Sequence, residues 1–379
     1  MWRLIVAILL FLLSLMVFFK APTNFFWRVS VAITEFPYIF IISTLLIYFI
    51  TYKTDLTKYK IAALIVSGLT IVIYTLPIIQ AYQRGNNLTT DLAKAFPFHN
   101  EPDQLQQPYS FTKMFSGIDI TDVSPKIFTY KKLPEQNLEI DFYPSSTQLI
   151  SPTVIIIHGG SWAEGDSKQL PALNSYLANK GYNVAAINYR LAPKYKSPAP
   201  LEDTRDVIKY LKDNAVKLNI DTANFVLLGR SAGGQIALCA AYTLNDPSIR
   251  GVISFYAPAD MVWGARIKTN KLVLNTDKVF TDYLGGLFDE VPEKYREAGA
   301  VEHVNNTSTP TLIIHGAHDA MVAYEHSEHL NKKLEENKVQ HYFLDLPWAT
   351  HGCDYNINGP SGQITTFAIE RFLNSVIKY

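Results

Sequence analysis

Ser231 is the residue around which chemistry can be built. It lies in Gly229-Arg230-Ser231-Ala232-Gly233, which fits the pattern G-x-S-x-G. An apolar run, FVLLG at 225–229, enters the motif and an Ala-rich run leaves it. That context suits a sharp strand-to-helix turn, where flanking side chains would clash and glycine avoids the clash. Such a turn lifts the hydroxyl to the end of a sheet. A serine hydroxyl is a weak nucleophile until a base takes its proton and an acid orients that base. His351, in PWATHGCD, follows the run HYFLDL at 341–346. Asp319, in HGAHDAMV, follows PTLIIHG at 310–316. The chain order Ser231, Asp319, His351 is the one expected with this kind of turn. His158-Gly159-Gly160-Ser161-Trp162 ends another apolar run, TVIIIH at 153–158. The backbone N–H groups of Gly159, Gly160 and Ser161, with that of Ala232, suit an oxyanion hole.

Each residue also has a plainer reading. Ser231 can be a helix N-cap, the Gly-rich turn an ordinary end to a strand, and His351 one of nine histidines on the surface. Asp345 and Asp354 compete with Asp319 as the acid. Asp345 falls within a strand, and Asp354 is too near His351 in sequence to support its ring easily. His315, His318, His326 and His329 form two HxxH pairs, but no acid completes a familiar zinc pattern. The reading is no metal and no cofactor. Cys239 reads as a small core residue on a helix, and Cys353 as a neighbour of the site. Whether the two pair stays open.

HGGSW, NYRLAP (188–193), GRSAGG (229–234), HGAHDAMV and the late THG together resemble the α/β-hydrolase superfamily. They are most similar to its acetyl-esterase/lipase group, related to hormone-sensitive lipase, in the HGGxW branch. The resemblance covers about residues 125–379. It implies an α/β-hydrolase fold, a triad of Ser231, Asp319 and His351, and an oxyanion hole from the Gly159–Ser161 turn and Ala232. Two positions depart from the lipase-type pattern. Ser161 stands where HGGG has its last glycine, and Arg230 where GDSAG has an acid.

The elements that must position these residues alternate. Strands are predicted at 126–133, 138–144, 153–158, 182–189, 225–229, 251–257, 310–316 and 341–346. Helices are predicted at 168–180, from about 200, after 231, at 323–337 and at 361–377. Repeated strand–helix units imply an α/β protein with a mainly parallel sheet covered on both faces. Residues 258–309 are less regular and form a candidate lid.

The N-terminal part differs. Residues 3–19, 36–51 and 61–80 are nearly uncharged apolar runs without the polar stripe of an amphipathic helix. They predict three transmembrane helices at about 3–19, 31–51 and 61–80. Residues 1–84 then form a membrane anchor, 85–125 a linker and covering segment, and 126–379 the catalytic domain. A cleaved leader over 1–20 is the weaker alternative, because FFKAP has no small-x-small site. Lys+Arg and Asp+Glu both number 34 in the 379 residues. The zero is a sum: residues 1–84 hold seven basic against two acidic residues, and the remainder 27 against 32. No basic surface for nucleic acid follows from this balance. The basic residues flanking the spans favour a catalytic domain outside the cytoplasm.

The expected protein is a membrane-anchored serine hydrolase that cleaves carboxylic esters through an acyl-enzyme. Its partners would be an ester-containing small molecule or lipid, and a membrane. The rivals are acyl transfer or deacetylation on an envelope glycan or lipid, a prolyl-oligopeptidase-like peptidase, and a non-catalytic adhesion or receptor domain.

Overall fold

Eight runs rich in β-branched and aromatic residues become eight strands of one sheet. They are β1 (Lys126–Lys132), β2 (Asn137–Tyr143), β3 (Ser151–Ile157), β4 (Asn183–Ile187), β5 (Ile220–Arg230), β6 (Ile249–Phe255), β7 (Thr311–Gly316) and β8 (His341–Leu346). The structure, a computed structural model, describes residues 1–54, 57–97, 107–147 and 149–377. The strand order is β1-β2-β4-β3-β5-β6-β7-β8. The β1–β2 and β2–β4 pairs are antiparallel, and the pairs from β4 through β3 to β8 are parallel.

Side chains alternate across the strands, so each strand feeds two cores. Ile155, Ile157 and Leu227 point into one face, with Val207, Leu211 and Ile236 from the helices Ala199–Asp213 and Ala232–Thr243. Val154, Ile156, Val226 and Leu228 point into the other, with Leu177, Ile364 and Phe372 from the helices Pro171–Asn179 and Pro360–Val376. Such double burial explains why the central strands read as continuous apolar runs. Parallel register aligns the C-terminal ends, with Ile157 opposite Gly229 and Arg230 opposite Phe255. The loops after β3, β5, β7 and β8 therefore leave the same edge.

The longer helices before the sheet are α1 (Trp2–Ser14), α2 (Asn24–Glu35), α3 (Pro37–Tyr52) and α4 (Lys58–Ala95). Here the structure departs from the expected anchor. Among the described residues, only α4 is by itself long and apolar enough to cross a membrane. Residues 31–51 do not form one helix. The chain breaks at Phe36, and α2 and α3 meet at 86°. Pro37 is the cause: its ring excludes Phe36 from helical geometry, and Pro37 itself opens α3 at its first position. The apolar helical stretch Trp2–Val17 is shorter than a bilayer-spanning helix.

The expected boundary at 84 also shifts. The helix runs on through residues 85–95, so this part is no irregular linker. Ala81, Leu88, Leu92 and Phe96 are fully buried in the core beneath the sheet. Arg84 reaches Asp91, Asp345 and the Tyr342 hydroxyl. Apolar residues recur at helical spacing there, which the polar composition of the segment concealed. Residues 98–106 of the expected linker lie outside the described residues.

Candidate active site

Ser231 forms the corner between β5 and the helix Ala232–Thr243, at φ 53 and ψ −120. A non-glycine residue with positive φ is strained, and such strain concentrates at functional positions. The corner needs its glycines. A Cβ on Gly229 would come within 2.1 Å of the Gly233 carbonyl oxygen, and one on Gly233 within 2.2 Å of the Ile157 oxygen.

Two loops bring partners to the corner. His351, after β8, has Nε2 at 3.0 Å from Ser231 Oγ. Its Nδ1 lies 2.7 Å from Asp319 Oδ2, after β7. Asp319 is 1% exposed, and its Oδ1 accepts the backbone N–H groups of Met321 and Val322. Burial alone would raise its carboxyl, but His351 and His315 hold it well below the usual carboxylate range. The competing acids are engaged elsewhere. Asp345 pairs with Arg84, and Asp354 with the buried Arg230.

The turn after β3 lies across from Ser231. Gly160, Ser161 and Trp162 all have positive φ. Gly159 is placed differently from expectation: its N–H donates to Gln169 Oε1 at 2.9 Å. A donor already committed to an amide oxygen does not face a reacting carbonyl, so Gly159 drops out of the expected hole. Gly160, Ser161 and Ala232 remain. His158 is structural. It stacks on Tyr189 at 4.3 Å, and burial pushes its ring down to about 4.

Two spaces meet at Ser231. A small pocket of about 40 Å³ is lined by Trp162, Pro258, Ile267, Val279 and Phe280. Four of these five come from the region 258–309 or sit on its edge, so that region walls the site as the candidate lid. An outer cleft of about 330 Å³ holds Ser231, His351, Gly160, Ser161 and Tyr355. A larger cavity, about 720 Å³, lies at the opposite sheet edge, near Ile249, Pro310 and Gln340 where β6, β7 and β8 begin. It is remote from Ser231, so volume does not identify the site here.

The chain has relatives among known proteins. Residues 138–334, just over half of the chain, match the family model described as BD-FAE. The chain belongs to the BD-FAE family. Like other members of the acetyl-esterase/lipase group, it is an α/β-hydrolase. It is 29% identical over 245 residues to Esterase LipC of Mycobacterium tuberculosis, spanning 60% of this chain and 59% of LipC. It is 25% identical over 244 residues to the probable carboxylic ester hydrolase LipM of the same organism, spanning 60% of this chain and 54% of LipM. The chain thus spans under two thirds of the length of these relatives. Among solved structures, a bacterial heroin esterase superposes with a TM-score of 0.59 at 19% identity, covering 70% of this chain and 88% of that one. Carboxyl esterase 2 of the fungus Tuber melanosporum superposes with a TM-score of 0.57 at 20% identity, covering 68% and 89%. At these identities the likeness is one of fold.

In this BD-FAE-family chain three of the four HxxH histidines are engaged by protein groups, two of them by Asp260. His315 meets Ser327 and Asp319, His326 accepts the Asp260 N–H, and His329 meets the Asp260 carboxylate. Cys239 and Cys353 are both free and buried in different cores, one on each face of the sheet. Sequence reasoning missed Asn24, Trp27 and Arg28, which line the outer cleft. They lie between apolar runs, and no motif or spacing ties them to Ser231.

Proposed function

We propose that the protein is a serine esterase, with Ser231 as nucleophile, His351 as base and acid, and Asp319 as the group orienting His351. The observation that carries this reading is the continuous chain from Ser231 Oγ to His351 Nε2 at 3.0 Å and from His351 Nδ1 to Asp319 at 2.7 Å. Ser231 Oγ attacks the ester carbonyl as its proton passes to Nε2. Negative charge on the carbonyl oxygen is met by the N–H groups of Ala232 and of the Gly160–Ser161 turn. Collapse expels the alcohol, which takes the proton from Nε2. Water then attacks the acyl-enzyme, with His351 again as base. The small pocket suits a short acyl group, and the outer cleft the alcohol part. The names of the relatives support an ester substrate.

The reading includes a membrane anchor. The exposed apolar residues Ile61, Ile65, Leu69 and Val72 on the first part of α4 support it. The first ~20 residues of α4 cross the bilayer, and the remainder docks the catalytic domain.

A fluorophosphonate probe tests the mechanism. The full chain labels at one residue, and Ser231→Ala abolishes labelling and ester turnover while the protein stays folded. Labelling that survives Ser231→Ala sinks the assignment.

A further inference from the structure

Helix α2 comes from a stretch whose composition reads as membrane anchor, yet it lies on the catalytic histidine loop. The Trp27 indole N–H donates to the His351 carbonyl oxygen at 2.9 Å. The two rings lie 6.4 Å apart. Two turns further along α2, Glu35 holds the far end of the same loop. Its carboxylate accepts from the Ser361 hydroxyl at 2.7 Å and the Ser361 N–H at 3.2 Å. Asn356 donates to the Glu35 carbonyl oxygen at 2.8 Å. The stretch from His351 through Asn356 to Ser361, at the start of the helix Pro360–Val376, is thus bracketed by one helix. Before His351, the chain is tied to the loop after β7, through Thr350 to His318 O and His318 N–H to Ala349 O. At His351 the hold passes to Trp27, and Gly352 follows at φ 79.

We propose that α2 is an integral wall of the active site and that Trp27 is a positioning residue for His351. This rests on the serine-esterase reading. The triad needs Nε2 to face Ser231 while Nδ1 faces Asp319. Both bonds depend on where the His351 backbone stands, and the Trp27 N–H fixes its carbonyl. Asn24 and Arg28, one turn before Trp27 and one residue after it, line the outer cleft beside Ser231. The alcohol part of the ester therefore enters between the catalytic domain and the N-terminal segment, so the segment shapes the site as well as holding it at a membrane.

The test uses the full chain in detergent, with Trp27→Phe, which keeps a ring and removes the donor, and Trp27→Ala. Phe25→Ala, on the same helix but 69% exposed, is the control. Active sites are counted by complete fluorophosphonate titration, and kcat per titrated site and KM are measured on a small acetyl ester. Trp27→Phe is expected to lower kcat per site by about tenfold, with KM within about twofold, and to slow labelling in parallel. Trp27→Ala is expected to lower kcat further, and Phe25→Ala to match the wild type. An unchanged kcat per site, with loss confined to KM or to the number of titratable sites, overturns the positioning role and leaves the esterase reading standing. A folded wild type that does not label brings down both.

Discussion

The histidine of the Gly-rich turn has a role that its ring chemistry alone does not suggest. His158 is 3% exposed, faces the Gly159 carbonyl and stacks on Tyr189. Burial lowers it from the ordinary 6.5 to about 4, so the folded protein holds it neutral where the unfolded chain would protonate it. Its contribution to stability is therefore full above pH 6.5 and is lost as pH falls toward 4. His158→Gln is expected to destabilise the protein at pH 7.5 through the lost stack. The penalty should shrink by about 2 kcal/mol at pH 5, where the wild type alone must forgo a proton. Urea midpoints at the two pH values measure this. An equal penalty at both would show that the ring is not held neutral. At this scale the sequence singled out Ser231, Asp319 and His351 by motif and chain order, and the fold brings the three within hydrogen-bond reach. It was misleading about Gly159, whose N–H is taken by Gln169, ten residues on and outside any motif.

Elements act by joining those residues. The nucleophile corner and the histidine loop are tied by Arg230, which pairs with Asp354, while the Tyr256 hydroxyl donates to the same carboxylate at 2.5 Å. Tyr256 also packs its ring 4.3 Å from that of His351. A buried pair of this kind adds little net stability, but removing one partner leaves a charge without compensation. Arg230→Met is expected to cost about 3–5 kcal/mol in a urea melt, and adding Asp354→Asn to recover part of that loss. An Arg230→Met protein as stable as the wild type would show that the pair does not tie the two loops. The alternation of strands and helices was readable because each buried strand is a dense apolar run. The break between α2 and α3 carried a signal in Pro37, but the apolar run around it resembled one span. Composition reports how apolar a helix is, and it does not report whether lipid or protein covers it.

For the whole molecule, α4 decides the arrangement. At ~1.5 Å per residue, its 38 residues reach about 57 Å, nearly twice the ~30 Å hydrocarbon core of a bilayer. The surplus is buried beneath the sheet, so under the proposed function anchor and catalytic domain share one helix. The protein is expected to stay in the membrane pellet after alkaline carbonate washing, and release into the supernatant would refute anchoring by α4. The sequence by itself determined the order of strands and helices and the fold family, and it proposed which serine, acid and histidine act together. Those features arise from local pattern and from strain at a single turn. Only the tertiary structure decided that α2 braces the histidine loop, that the Gly159 N–H is occupied, that Arg230 and Asp354 pair, and that α4 runs on into the core beneath the sheet. Each of these depends on which groups meet in space, from ten residues apart to more than three hundred, and such contacts leave no periodicity in one sequence.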